Sequence, residues 1–162
     1  MEMTPNNIAN SNNPVIDSGL MLLGLKVNSN EELIRTMGQQ LVDRDWVKTG
    51  FIEAILKREK EYPTGLPIGE IAAAIPHTDA AYVLCSAMVV CVLPEPVKFH
   101  NMADPDEILD VRIVFMLAMK EPAFQVTWLK KLMGLLSKPD LMKKILDIHN
   151  QQALADFLNQ CL

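Results

Sequence analysis

The sequence predicts an α/β fold: a single three-layer domain with a central mixed β-sheet flanked by helices on both faces. Three observations lead there. The runs 86–93 and 111–119 are almost continuously apolar and rich in β-branched residues, the pattern of strands covered on both faces. Segments of helical periodicity lie both before and after those runs, which suits a sheet with a helical layer on each side. The length of 162 residues is that of one domain, enough to bury roughly two-thirds of the unfolded surface.

The elements follow in order. Residues 1–16 contain Asn6, Asn7, Asn10, Asn12 and Asn13 between Pro5 and Pro14 and carry little apolar content. They are expected to form a flexible N-terminal tail, with the domain proper over 17–162. Residues 19–27 are apolar and short, a first strand. Ser29-Asn30-Glu31-Glu32 has the form of a capping box, and Leu33, Ile34, Met37 and Leu41 recur behind it at helical spacing, predicting a helix over about 30–43. Phe51, Ile52, Ile55 and Leu56 mark a second helix whose end carries Lys57, Arg58 and Lys60, where cations suit the negative pole of the dipole. Tyr62-Pro63-Thr64-Gly65 stops it, with Gly65 read as the turn glycine.

Residues 71–75 read as a short extended segment closed by Pro76. The strand over 86–93 is expected to end at Pro94 and Pro96, with Val97-Lys98-Phe99 as a short further strand. Residues 101–110 form an acidic loop, and 111–119 a second buried strand interrupted only by Arg112. The last third is helical: Phe124, Trp128, Leu129, Leu132, Leu135 and Leu136 share a face, Ser137-Lys138-Pro139-Asp140 breaks and restarts the chain, and Asn150 caps a final helix.

Composition narrows the functional classes. A net charge of −5 and a pI near 5.2, without a basic run, speak against nucleic acid as a partner. No apolar stretch reaches the ~18 residues a membrane span needs, and the polar N-terminus does not resemble a signal peptide. Three cysteines without C-x-x-C spacing fit a reducing, cytoplasmic setting rather than a disulfide or zinc framework.

Few residues remain to carry chemistry. His77, His100 and His149 lack metal-ligand spacing, so no metal site is expected. Neither a phosphate-binding glycine loop nor a G-x-S-x-G elbow occurs, so no nucleotide cofactor and no serine hydrolase is expected. His77 follows Pro76 at the end of a short strand. The ordinary reading is an imidazole bonded to a backbone carbonyl; the reactive one is a neutral nucleophile, since the unperturbed pKa is only about 6.5. Arg58 likewise reads either as a solvated helix-end cation or as a planar fork for phosphoryl oxygens. Residue chemistry admits both readings of both residues.

Arg58-Glu59, Pro63-Thr64-Gly65 and Ala74-Ile75-Pro76-His77 resemble, in this order, the active-site signature of enzyme IIA domains of the fructose–mannitol class in the bacterial sugar phosphotransferase system. The likeness runs from about residue 18 to the end. It implies a cytoplasmic phosphotransferase component without a cofactor. His77 would accept a phosphoryl group from phospho-HPr and Arg58 would stabilise its charge, with Thr64 a minor contributor. The group would then pass to a IIB component, commonly to a cysteine, for the sugar entering through the membrane component IIC. Many members carry a second histidine where this chain reads Gln125-Val126-Thr127-Trp128-Leu129, so Gln125 stands in its place and is expected to donate a hydrogen bond to His77 or to a phosphoryl oxygen. That replacement and the Arg-Glu-x-Glu-Tyr-Pro-Thr-Gly run resemble the galactitol-type branch, implying galactitol or a related polyol as the carbohydrate. The alternative that the family offers is a nitrogen-type regulatory module, whose phosphorylation state controls partner proteins.

Overall fold

The computed structural model describes residues 12–162. Most of the expected tail, residues 1–11, lies outside the described residues. Its last two residues do not behave as a tail. The Val15 N–H donates to the Ser86 carbonyl at 2.9 Å, the Met88 N–H donates back to the Val15 carbonyl at 3.0 Å, and Ile16 is buried. The fold therefore begins at the edge of the sheet two residues before position 17.

Five strands form one mixed sheet in the order β1-β4-β5-β3-β2. They are β1 (Met21–Leu23), β2 (Gly65–Ile68), β3 (Ile71–Ala74), β4 (Ala87–His100) and β5 (Ile108–Ala118). The pairs β1/β4 and β3/β5 are parallel; β4/β5 and β2/β3 are antiparallel. Residues 87–93 of β4 and 113–118 of β5 are buried without alternation, so both faces of the sheet centre are covered. The cover comes from α1 (Asn30–Asp43) on β4 and β5, α2 (Phe51–Glu61) against α1, α3 (Pro122–Leu136) on β5, α4 (Pro139–Leu146) beside α3, and α5 (Gln151–Cys161) on β1. No helix among the described residues is long and apolar enough to cross a membrane.

The helix signals act as expected. Ser29 Oγ accepts from the Glu32 N–H at 3.1 Å, while the Glu32 carboxylate accepts from the Asn28 N–H at 2.9 Å, one residue earlier than in a standard capping box. Asn150 Oδ1 accepts from the Ala153 N–H at 2.9 Å. Besides β5 starting at Ile108, three residues before the expected strand and inside the expected acidic loop, the strands differ from expectation in three places. The first is shorter, because a 3-10 turn (Ser18–Leu20) precedes it and Gly24, at φ 74°, ends it.

The second difference is the hairpin β2–β3. Gly65 opens a strand rather than making a turn, and the turn falls at Gly69-Glu70, with positive φ (59°) at Gly69 alone, as in type II′. A Cβ on Gly65 would lie 2.5 Å from the His100 carbonyl oxygen, so this glycine answers to a close backbone approach. Pro67 is tolerated because β2 is an edge strand.

The third is β4, which continues through Pro94 and Pro96. Between the pairs Val92↔Ile113 and Val97↔Val111, five residues of β4 advance against two of β5, and the excess loops out as a bulge. Arg112, the polar interruption of β5, donates from Nε to the Leu93 carbonyl at 2.9 Å at that bulge.

Candidate active site

The sheet places His77 where β3 runs out. The ladder between β2 and β3 ends at Gly65↔Ala74, Ile75 and Pro76 are buried, and the Leu117 N–H donates to the Pro76 carbonyl at 3.2 Å. His77 then bridges in parallel to Leu117, near the carboxyl end of β5. Its ring is half-buried, with Nδ1 2.7 Å from the Ile75 carbonyl oxygen. A carbonyl only accepts, so Nδ1 carries the hydrogen and Nε2 carries the lone pair.

Burial pushes the imidazole below its ordinary pKa; the bond to Ile75 pulls the other way, and the nearby charge of Arg58 pushes down again. The net shift is downward, so the ring is neutral at pH 7. The two readings of His77 are thus compatible in one geometry: a carbonyl holds one nitrogen and leaves the other with its lone pair.

Arg58 comes from the last turn of α2, and the Tyr62 N–H closes on its carbonyl at 2.6 Å as the helix stops before Pro63. Its guanidinium lies over the Tyr62 ring, 5.5 Å from the centroid. Arg58 Nε is buried and has no hydrogen-bond partner among the described residues. Such a donor is rare, because an unmade bond costs about 1–3 kcal/mol. Arg58, Tyr62, Thr78 and Asp79 help to line a cleft of ≈ 240 Å³. Thr78 and Asp79 directly follow His77, so Arg58 shares this lining with the segment after the imidazole, and its charge is felt at the ring.

Thr64 lies behind this pair rather than in the cleft. It is buried, donates its hydroxyl to Glu59 Oε1 and its N–H to Glu59 Oε2, both at 2.6 Å, and accepts from the Ile75 N–H at 3.1 Å. Gln125, in the first turn of α3, directs its amide to the backbone rather than to the ring: Nε2 donates to the Thr78 carbonyl at 2.9 Å. It ties the segment after His77 to the start of that helix.

His100 and His149 stand apart and are exposed, with His100 Nδ1 bonded to the Pro105 carbonyl at 2.7 Å. Among the described residues no three His, Cys, Asp or Glu side chains converge as a metal site would require. A larger cavity of ≈ 350 Å³ lies away from the imidazole, between the start of α1, the end of α2 and His100.

Sequence reasoning passed over Glu59 except as part of a motif. The sign was present, since Glu59 falls three and four residues after Leu56 and Ile55, on the buried face of α2. It is only 7% exposed, and burial pushes its carboxyl up to about 7 against the two bonds from Thr64.

Comparison with known proteins bears on the fold and the family. A family profile described as "Phosphoenolpyruvate-dependent sugar phosphotransferase system, EIIA 2" matches residues 14–161. The galactitol-specific EIIA component of Escherichia coli (strain K12) is 28% identical over 129 residues, covering 80% of this chain and 85% of the relative. The crystal structure of IIA mannitol from Escherichia coli superposes with a TM-score of 0.71 at 26% identity, covering 91% of this chain and 98% of that one. The complex of enzyme IIA mannitol with phosphorylated enzyme IIB mannitol, also from Escherichia coli, matches with a TM-score of 0.66 at 26% identity, over 91% and 96% of the two chains. A mixed sheet flanked by helices, over a chain matched almost end to end, places this protein in the EIIA 2 family of the phosphoenolpyruvate-dependent sugar phosphotransferase system, whose members are phosphoryl-carrying phosphotransferase components.

Proposed function

We propose that His77 is the residue that carries the phosphoryl group. The observation that carries this reading is one juxtaposition: an imidazole with Nδ1 held by a carbonyl and Nε2 free, near a buried, unbonded guanidinium nitrogen. Nε2 attacks the phosphorus of phospho-HPr; the new P–N bond forms as the donor's P–N bond breaks, and the donor imidazole leaves with that electron pair. Arg58 neutralises charge on the transferring oxygens, a role suited to a planar fork in a partly dry cleft. No proton moves at Nδ1. As the ring gains positive character its bond to the Ile75 carbonyl becomes charge-assisted and stronger. Thr64 contributes by anchoring Ile75, and Gln125 by holding Thr78.

The onward acceptor is the cysteine thiolate of a IIB component, which returns His77 to its neutral form; IIC is served only through IIB, in the cytoplasm. The family resemblance and the galactitol-specific relative support galactitol or a related polyol as the carbohydrate. The nitrogen-type regulatory reading shares the first step and differs in the second.

The experiment is phosphorylation by phospho-HPr followed by mass measurement. The wild type gains one acid-labile phosphoryl group, and His77→Ala gains none. Arg58→Met slows labelling by roughly a hundredfold while remaining no less stable, because it removes an unsatisfied buried donor. Retained labelling in His77→Ala would sink the assignment. Transfer from the labelled protein to a galactitol-type IIB cysteine separates transport from regulation, and a mannitol-type IIB serves as the specificity control.

A further inference from the structure

We propose that Glu59 is a positioning residue for phosphoryl transfer: acting through Thr64 and Ile75, it holds the His77 ring in the tautomer that leaves Nε2 free. This rests on the reading of His77 as the phosphorylated residue.

The connection is a chain of hydrogen bonds with a single polarity. The Glu59 carboxylate accepts twice from one residue, Oε2 from the Thr64 N–H and Oε1 from its hydroxyl. With the hydroxyl proton committed to Glu59, Thr64 Oγ1 turns its lone pairs to the Ile75 N–H. That N–H needs a partner, because the strand ladder stops one residue earlier at Gly65↔Ala74. Pro76 restricts Ile75 to extended backbone, so fixing its N–H also fixes the direction of its carbonyl. The carbonyl receives His77 Nδ1–H at 2.7 Å.

Only an acceptor-only group sets this polarity, and Glu59 is one in its ionised form, which prevails above about pH 7. A glutamine at position 59 would present an NH2 to one of Thr64's two donors. The hydroxyl proton would then be released from its direction, and the Thr64 lone pairs would be shared between that NH2 and the Ile75 N–H. An uncharged residue would be cheaper on the buried face of α2, so what the carboxylate adds is its pair of acceptor oxygens. A purely structural link between the end of α2 and the start of β2 would not depend on which way the Thr64 proton points. The proposed role does.

The test reads the His77 ring directly. At pH 8, where Glu59 is ionised, wild-type protein labelled with 15N-histidine shows a single Nδ1–H tautomer by long-range 1H–15N correlation. Glu59→Gln and Thr64→Val shift the ring toward a mixture with the Nε2–H form and slow phosphorylation by phospho-HPr by roughly tenfold or more. Thr64→Ser, which keeps the hydroxyl, restores both readouts. If Glu59→Gln does not fold, the Thr64 pair decides alone. Folded variants with an unchanged tautomer, or with no difference between Thr64→Val and Thr64→Ser, overturn the proposal. A wild type that takes up no phosphate overturns the His77 assignment instead, while the tautomer measurement still tests the hydrogen-bond chain.

Discussion

Glu59 is an expensive residue to keep. Its carboxyl is pushed from an ordinary 4.5 up to about 7 by burial, with the Thr64 bonds and the more distant charges of His100 and Arg58 opposing. The folded chain therefore retains a proton between those two values that the unfolded chain has already released. The resulting stabilisation is complete below about pH 4.5 and is lost as the pH rises through 7, on the order of 3 kcal/mol across the window. His77 acts in the opposite sense, because its lowered pKa costs stability as the pH falls below 6.5. Urea unfolding at pH 5, 6 and 7.5 is expected to show Glu59→Gln with a more positive slope of stability against pH than the wild type. Parallel slopes would mean that Glu59 does not titrate in this range. The candidate site's two central residues were legible as residue types: an imidazole after proline and a cation at a helix end. The links behind them were not, because Glu59, Thr64 and Ile75 belong to a helix, a strand entry and a strand exit whose meeting no local pattern announces.

At the level of elements, periodicity did well where a signal spans many residues and poorly where it spans four. The first helix was readable to its ends, since a cap and an apolar stripe agree over residues 30–43. The edge strand β2 was missed because it is four residues long and contains Pro67. β4 was cut short because prolines normally end a central strand, whereas here a bulge takes them out of the ladder. The two hairpin glycines offer a check on this account. Gly69→Ala places a side chain at positive φ with open space around it, and should cost about 1 kcal/mol. Gly65→Ala has ordinary backbone angles but drives a methyl into the His100 carbonyl, and should cost about 2–3 kcal/mol. Chemical denaturation of the two variants measures the order. A larger loss for Gly69→Ala would restore Gly65 to the role of a turn glycine.

The whole molecule presents His77 beyond the carboxyl end of β3 and level with the last residues of its parallel neighbour β5, the region where open α/β sheets place their ligand crevices. The mixed sheet and its two helical layers were readable from the sequence; strand order was not, because it depends on pairings between segments far apart in the chain. The far edge of the sheet includes the stretch at Val15 and Ile16, so its contribution is measurable by truncation. A chain starting at Asp17 loses two backbone hydrogen bonds to Ser86 and Met88 and the buried Ile16 side chain. It should be about 2–4 kcal/mol less stable than a chain starting at Asn12, as read from urea midpoints. Equal midpoints would make Val15 and Ile16 part of the tail after all.

The bond between His77 Nδ1 and the Ile75 carbonyl has a consequence for direction. On the proposed reading it is made both before and after the ring is loaded, so neither filling nor emptying the carrier requires the site to reorganise. A site that need not reorganise adds no reorganisation cost to either step and leaves the direction to the transfer potentials of donor and acceptor. It would fill and empty reversibly, its occupancy following the ratio of charged donor to vacant acceptor and reporting carbohydrate demand back to the donor pool.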